Sequence, residues 1–328
     1  MLISIVLLIA IGPAWLVQES PAITRPVPFH LPEADTIVAS LQVFPKDNAW
    51  NTKITDWPVA ADSQQLVKSI GTNLKLRSNH DMAFILVPAD QKRVEVKITG
   101  YAQESDAGPF PIPDELPIEG WPSEYRKPRQ GRMLSLFDVQ RDVLNEGGDR
   151  HAIIVDPANR RLYEFFSMKR TSTGWEAAQA SIFDLASNQL RPAGWTSADA
   201  AGLPIFPAVV RYEELQRGKI RHALRFTAPA TRKAYVHPAT HHAGKSNDPN
   251  LPRMGERFRL RRDFNLQGFS KEARIVLTAL QEYGMILADN GIAWGMSFTP
   301  DPRMKPLHDE LRRIVGKDFE VVVAPATR

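Results

Sequence analysis

Proline restricts the regular structure open to this chain more than any other residue type does. The chain has 26 prolines in 328 residues, roughly 8% where about 5% is usual, and proline interrupts both helices and inner strands. Six of them lie in residues 101–132, at positions 109, 111, 113, 117, 122 and 128. That density leaves no room for a regular element, so we predict a long loop, and loops of this length are often functional.

Most apolar segments of the chain are short and are separated by turn residues, which is typical of strands. Residues 152–155 and 162–166 are two such segments. Residues 285–298 contain Asn290-Gly291 between two apolar runs, and this dipeptide is a strong local signal for a two-residue turn. We therefore predict a β-hairpin in that segment.

Helical periodicity is limited to three places: residues 64–70, a segment capped by Ser270, and a segment that ends near Gly316. Strands thus outnumber helices, and they do not alternate with helices as they do in a doubly wound sheet. The sequence predicts a mainly-β fold, a β-sandwich or an irregular barrel, with two or three peripheral helices. An α+β fold is the alternative.

The N-terminus has the composition of a targeting segment. Residues 1–18 carry no charge and are mostly aliphatic, so residues 1–20 are predicted to be a signal peptide or an N-terminal anchor. Prolines make residues 21–40 an extended linker, and residues 41–328 then form a single catalytic or binding domain. A division near residue 145, after the Pro-rich loop, is the alternative. This arrangement predicts export to the periplasm or the extracellular space.

Composition and missing motifs exclude several classes of protein. The chain has no cysteine, which excludes a disulfide scaffold, cysteine-ligated zinc and a thiol nucleophile. Lys+Arg is 41 and Asp+Glu is 37, and the resulting net charge of +4 is too small to indicate nucleic-acid binding. No glycine-rich phosphate-binding motif, nucleophile elbow or His-Glu-x-x-His zinc motif occurs, so no cofactor is expected.

The Pro-rich loop carries three acids, Glu104, Asp106 and Glu119, close to aromatic residues. Cleavage of a sugar needs an acid, a base and a surface for stacking, and carboxylates beside aromatic rings supply them. Proline fixes the backbone around Asp106 and would hold its carboxylate in one position. Asp106 is therefore a candidate catalytic residue, with Glu104 and Glu119 as candidate substrate-binding residues. In the alternative interpretation the loop is solvated and its acids cap turns.

Two further segments place polar residues in turns rich in small residues. Asp149 and His151 follow a Gly-Gly pair and precede an apolar strand, where an Asp–His pair could transfer a proton. Asp199 lies among small residues close to Trp195, which leaves room for a ligand. We take the acids and the histidine as candidate catalytic residues and Trp195 as a substrate-binding residue. The alternatives are structural turns, or Ser197 as a nucleophile with a histidine base.

Three residues nearer the C-terminus complete the candidate set. Arg225 would share a strand face with Arg221, and the two together could clamp the carboxylate of an acidic sugar. Edge charges that prevent sheet pairing are the alternative for this pair. Asp289 belongs to the predicted hairpin turn and Trp294 follows it; both are candidate substrate-binding residues.

Histidines at positions 237, 241 and 242 raise the alternative of a metal site. Neutral imidazoles could bind zinc or copper with an acid from elsewhere in the chain. Pro238 opposes a helix through the first two of these histidines, and no second metal motif accompanies them. No metal is therefore assigned to the predicted site.

Four stretches together resemble a family of exported bacterial proteins without an assigned function. They are residues 47–51 (DNAWN), 104–113 (ESDAGPFPIP), 195–204 (WTSADAAGLP) and 288–291 (ADNG). The resemblance covers about residues 40–328. It implies export, and it carries no activity that could be transferred to this chain.

The sequence thus predicts an exported carbohydrate-active enzyme, a glycoside hydrolase whose loop carboxylates act as acid and base. Its partner would be a polysaccharide or an oligosaccharide, with membrane contact only through an N-terminal anchor. One alternative is a lyase for a uronate polymer, in which Arg225 neutralises the carboxylate and His151 or Tyr163 abstracts a proton. The other is a non-catalytic sugar-binding or envelope module.

Overall fold

The computed structural model describes residues 23–325. The predicted signal peptide or anchor, residues 1–20, lies outside the described residues. Within them the chain forms six α-helices: α1 (Pro32–Ser40), α2 (Ser63–Ile70), α3 (Leu136–Arg141), α4 (Tyr212–Arg217), α5 (Lys271–Glu282) and α6 (His308–Leu311). None of these helices is long and apolar enough to cross a bilayer.

Fourteen strands accompany the helices in the described part of the chain. They are β1 (Val27–Pro28), β2 (Arg77–His80), β3 (Phe84–Leu86), β4 (Val96–Ile98), β5 (Ala152–Asp156), β6 (Arg161–Phe166), β7 (Lys169–Arg170), β8 (Trp175–Ala177), β9 (Gln179–Asp184), β10 (Leu224–Ala228), β11 (Arg257–Leu260), β12 (Met285–Asn290), β13 (Gly295–Phe298) and β14 (Phe319–Val322).

The strands form three sheets, each with both parallel and antiparallel neighbours. The first sheet has the order β1-β3-β5-β6-β9, the second β14-β11-β12-β10-β13-β2, and the third β4-β8-β7. Strand accounts for 23% and helix for 19% of the residues that the structure describes, and none of these three sheets closes into a barrel. The fold is therefore mixed α/β. The prediction of a strand-rich fold with helices is confirmed in part, but the chain is not plainly mainly β, and the prediction of an irregular barrel is wrong.

The additional helices are short, and this is why the sequence pattern did not reveal them. α3 and α4 have six residues each, less than two turns, so an apolar periodicity has no room to repeat. α1 lies within residues 21–40, so the prediction of an extended Pro-rich linker there is wrong. Ile37 and Val38 of this helix are buried in the main hydrophobic core.

The predicted hairpin at Asn290-Gly291 is also wrong. β12 ends at Asn290, but it pairs with β10 in parallel, and β13 pairs with the other edge of β10. β10 therefore lies between the two strands that the dipeptide was expected to join. A turn signal reports the local backbone, and it does not report whether a distant strand enters between the two arms.

Two of the predicted helices are confirmed by the structure, and the third segment contains the short α6, which ends at Leu311 and not near Gly316. The segment at 64–70 is α2, and Ser270 caps α5 by accepting a hydrogen bond from the Ala273 N–H at 3.2 Å. After α5 the chain turns at Gly284, which has a φ of +69°. A Cβ there would lie 2.3 Å from the Phe258 carbonyl oxygen, so this close approach of two strands requires glycine.

The first sheet has a hydrophobic core on each face, because side chains alternate along its strands. In β5, Ile153 and Val155 belong to the larger core, which the second sheet shares, and Ala152 and Ile154 belong to a smaller core that includes Trp175 of the third sheet. A polar residue on the face of the first sheet that contacts the larger core therefore has its side chain enclosed between the first and second sheets.

Candidate active site

A cluster of buried charged residues interrupts the core between the first and second sheets. His151 precedes β5 by one residue and shares the face of Ile153, and Glu164 lies on β6 on the face of Leu162. From the second sheet, β10 contributes Arg225 and β13 contributes Ser297. Strand alternation thus directs these polar groups toward one another from two sheets.

His151 and Glu119 form the centre of this cluster. The Nδ1 atom of His151 lies 2.9 Å from Oε2 of Glu119, and the same oxygen accepts the backbone N–H of His151 at 3.1 Å. The other ring nitrogen, Nε2, lies 3.0 Å from the carbonyl oxygen of Ala198. Because both ring nitrogens lie against acceptor oxygens, the ring satisfies both contacts only as an imidazolium that donates twice.

Electrostatics keep this pair ionised. Burial alone would lower the pKa of His151, but the Glu119 charge and its hydrogen bond raise that pKa to about 10. Burial alone would raise the pKa of Glu119, but the His151 charge and its hydrogen bonds lower it to about 2. The Oε1 atom of Glu119 accepts no hydrogen bond from residues 23–325, and the side chain is 21% exposed. Glu119 therefore presents an ionised carboxylate with one oxygen free for a ligand.

Asp81 is a second carboxyl group beside Glu119. Its backbone carbonyl accepts the N–H of Gly120 at 2.8 Å, which fixes the two segments side by side. Its Oδ1 atom is buried and has no hydrogen-bond partner within the described chain. Burial, reinforced by the charge of Glu119, raises the pKa of Asp81 to about 7. Two neighbouring carboxyl groups are thus in opposite protonation states at slightly acidic pH.

Arg225 and Asp199 form a buried ion pair beneath these residues. Nε of Arg225 donates to Oδ2 of Asp199 at 2.7 Å, and a second guanidinium nitrogen donates to Oδ1. The remaining nitrogen donates to the hydroxyl of Ser297. Asp199 has no exposed surface and Arg225 has 3%, so each nitrogen of the guanidinium is engaged by a protein group in the interior. The guanidinium is not available as part of a clamp with Arg221, which is exposed and lies outside β10.

Asp289 reaches the cluster through an irregularity in the second sheet. The register between β10 and β12 shifts after Phe226, so that Asp289 and not Ala288 lies opposite Thr227. Paired residues of neighbouring strands point to the same face, so the shift places Asp289 on the face of Arg225. Burial, together with the charge of Asp199, raises the pKa of Asp289 to about 7. Asp289 is therefore a second carboxyl group that is protonated below neutral pH.

Glu164 is fully buried and has a structural role. Its carboxylate accepts the backbone N–H groups of Ile205 and Phe206 at 2.8–2.9 Å, at the start of the short 3-10 helix Phe206–Ala208. Burial nevertheless raises its pKa to about 7. These contacts attach the segment after Asp199 to the first sheet and so support the position of the ion pair.

A cavity of about 280 Å³ opens beside Glu119. Its lining has six acidic residues, among them Glu119, Glu124 and Asp149, against two arginines, and Tyr125 supplies an aromatic ring. Trp121 packs against that ring with a centroid distance of 6.0 Å. Glu119 therefore borders a concave and predominantly acidic space, which we call the acidic cavity.

Glu104, Asp106 and Trp195 come together, although away from the acidic cavity. Arg191 joins them: it pairs with Asp106 at 2.5 Å and its guanidinium carbon lies 5.5 Å from the centre of the Trp195 ring. Oε2 of Glu104 accepts the N–H of Thr196 at 2.8 Å. These contacts fix the backbone that leads to Ala198 and Asp199, so the three predicted residues hold the site's segment in place.

Trp294 lies in the hydrophobic core. Its ring has no exposed surface, stacks on Phe226 and Phe319, and donates through Nε1 to the Gly71 carbonyl at 3.0 Å. A ring enclosed in this way packs sheet against loop. Asp149, by contrast, is exposed and lines the acidic cavity.

Glu119, Asp149 and His151 are also close enough to be considered as metal ligands, since one ligand atom from each lies within 4.8 Å of the others. Both nitrogens of His151 are already engaged, so the ring would have to leave a contact before it could bind a cation. The histidines considered from the sequence are arranged differently: His241 contacts the Ala200 carbonyl through Nδ1 and stacks on His242.

Sequence reasoning missed Asp81, Glu164 and Ser297. Asp81 directly precedes the apolar run at residues 82–87, as His151 precedes its own strand, and this parallel was a usable signal. Glu164 and Ser297 each interrupt an apolar strand, where a polar residue that points inward needs a partner. Nothing in the sequence indicates which distant residue is that partner.

Comparisons of the chain with protein-family models, with curated proteins and with solved structures found no match. The resemblance to a family of exported bacterial proteins therefore stays a prediction. Conclusions on function depend on the chemistry of the residues around Glu119.

Proposed function

We propose that this chain is a glycoside hydrolase in which Asp81 is the general acid and Glu119 is the base or the nucleophile. The observation that carries the proposal is the pair of neighbouring carboxyl groups held in opposite protonation states, with pKa values of about 7 and about 2. Active sites of glycoside hydrolases commonly separate the pKa values of two carboxyl groups in this way.

In the proposed reaction Asp81 donates its proton to the glycosidic oxygen as the bond to the anomeric carbon breaks. The ionised Oε1 of Glu119 either removes a proton from an attacking water molecule or attacks the anomeric carbon itself. In the second case water then hydrolyses the glycosyl ester, and Asp81 accepts the proton of that water. His151 keeps Glu119 ionised and oriented, and the Asp199–Arg225 pair supports both from below.

The elimination alternative has less support. His151 has both nitrogens directed at acceptor oxygens, so it has no lone pair ready to abstract a proton. Tyr163 is buried in the smaller core on the opposite face of the first sheet, and Arg225 is buried and engaged by Asp199 and Ser297. The acidic lining of the cavity would also repel a uronate, which favours a neutral or amino sugar as substrate.

Export is part of this proposal. Its support is the uncharged, aliphatic composition of residues 1–18 and the absence of cysteine from the chain. A non-catalytic sugar-binding module would need exposed aromatic rings and no convergent acids. The acids converge beside Glu119, and Trp195 is engaged by Arg191, so the binding module is the weaker alternative.

A glycan digestion screen tests the proposed function. Purified protein would be incubated with neutral, amino-sugar and uronate polymers, and the products would be assayed both for reducing ends and for the ultraviolet absorbance of unsaturated sugars. New reducing ends without absorbance from a neutral or amino-sugar polymer support the proposal. Ultraviolet absorbance would indicate elimination instead of hydrolysis. If the protein is folded and no polymer yields a product, enzymatic cleavage is contradicted.

The pH dependence of the reaction follows from the two pKa values. Asp81 must be protonated and Glu119 ionised, so we expect kcat/KM to fall above about pH 7 and to stay level below it down to the range where Glu119 titrates, near pH 2. Rates measured from about pH 4 to about pH 9 would show the upper limb. Asp289 has a similar pKa, so the Asp289→Asn variant is the control and should keep the limb. If the fall in kcat/KM at high pH disappears in Asp289→Asn, the general acid is Asp289.

A further inference from the structure

A second concave surface lies on another part of the molecule and has the opposite charge. It is a groove of about 620 Å³ between the end of α1, α4 and the segments that precede β10 and β12. Four exposed cations line it: Lys46, Arg217, Lys219 and Arg221. Neither Asp81 nor Glu119 belongs to its lining. We call this surface the cationic groove.

Arg217 lies 3.8 Å from Glu213, but the other three exposed cations of the cationic groove have no acidic partner among the described residues. Glu214 is the acid in its lining, and it is buried and already bound by Arg211 and His222, each at 2.8 Å. Lys46 and Lys219 have no side-chain hydrogen bond or ion pair within residues 23–325, and the same is true of Arg221. Three unpaired cations thus face one concavity, where their fields add.

We propose that the cationic groove binds a segment of an anionic glycan. The unpaired cations come from two segments of chain, around Lys46 and around residues 219–221, and face one concavity, which suits a polymer with repeated negative groups. A flat bilayer would meet the rim and would not reach into the groove. Single-stranded nucleic acid binds by stacking its bases on exposed rings, and the two aromatic residues of the groove, Phe44 and Tyr283, are only 5% exposed each.

The position of the groove separates this binding from catalysis. β10 and β12 run parallel, and the groove lies where both begin, next to His222 and Tyr283. Asp289, at the other end of β12, faces the active-site cluster. The groove would therefore attach the protein to an anionic polymer while the acidic cavity receives a neutral or cationic sugar.

The test measures binding of polygalacturonate, with neutral dextran as a reference, by affinity electrophoresis and titration calorimetry of the full chain. The variant Lys46→Glu/Lys219→Glu/Arg221→Glu should bind polygalacturonate at least about tenfold more weakly than the unaltered protein, because three favourable contacts become repulsive. The matched control Lys75→Glu/Lys97→Glu/Lys127→Glu makes the same change in net charge at three exposed lysines elsewhere and should bind normally. A milder triple variant with glutamine at the three groove positions guards against misfolding.

Three results would overturn the proposal. Equal loss in the control variant would show that net charge alone attracts the polymer. If the unaltered protein does not bind polygalacturonate, an anionic glycan is excluded as the ligand of the groove. Equal or tighter binding of single-stranded DNA or of anionic vesicles would assign the groove to another partner. None of these readings depends on catalysis, so the failure of the groove and the failure of the hydrolase proposal would be seen separately.

Discussion

Replacement of Glu119 by glutamine is expected to abolish most of the cleavage of the glycan found in the digestion screen. We expect kcat/KM to fall by about 10²-fold to 10⁴-fold, the usual contribution of a positioned acid or base. Glutamine keeps the shape of the side chain and an oxygen that can accept from His151, but it removes the negative charge. The same variant should also lower the pKa of His151, because the Glu119 charge is what raises it.

Glu115→Gln is the matched control for this experiment. Glu115 lies four residues earlier in the same loop and is exposed, so its variant should retain full activity. Circular dichroism and the melting temperature of both variants would show that they are folded. A folded Glu119→Gln protein with normal kcat/KM would remove Glu119 from the reaction.

Replacement of Asp199 by alanine is expected to have the largest effect on stability. The change leaves the buried guanidinium of Arg225 without its carboxylate, and breaking a buried pair in this way typically lowers the free energy of unfolding by about 3–5 kcal/mol. Denaturant titrations followed by circular dichroism would measure the loss. Asp56→Ala is the control: Asp56 pairs with Arg262 at 3.3 Å on the surface, where its side chain is 93% exposed, and its loss should not be measurable.

A double variant tests the physical reason for that loss. If the cost arises from an unpaired buried charge, Asp199→Leu/Arg225→Met should be more stable than Asp199→Ala, because removal of both charges leaves none without a partner. A double variant less stable than the single one would indicate that packing around Asp199, and not its charge, dominates. Both variants should have reduced activity, since Arg225 and Asp199 support the groups around His151.

Part of the fold could be read from the sequence because some signals are local. The Ser270 cap and the long apolar face after it predicted α5, and the strand at 152–155 was predicted within one residue. The failures involve distant partners. Asn290-Gly291 predicted a turn between neighbours, and the insertion of β10 between β12 and β13 depends on residues more than sixty positions away.

The candidate site likewise contains residues that the sequence predicted and residues that it could not predict. Glu119, Asp149 and His151 were selected for their residue type and their turns, and the structure brings the three together, with Glu119 and Asp149 lining the acidic cavity. Asp106 was selected for the same reasons, yet Arg191 engages it instead. Asp81 was missed because its raised pKa is a property of its burial beside Glu119, and neither the burial nor the neighbour is visible in a sequence.

The central claim is that Asp81 and Glu119 hold opposite protonation states, and a carboxyl-carbon NMR titration of protein labelled at aspartate and glutamate tests it most directly. We expect Asp81 to titrate near pH 7 and Glu119 to stay ionised down to about pH 2. In Glu119→Gln the pKa of Asp81 should fall, because the repulsion between the two groups is gone. If Asp81 instead titrates near 3.8, the value of an unperturbed aspartate, the pair is not an acid and a base, and the account is contradicted.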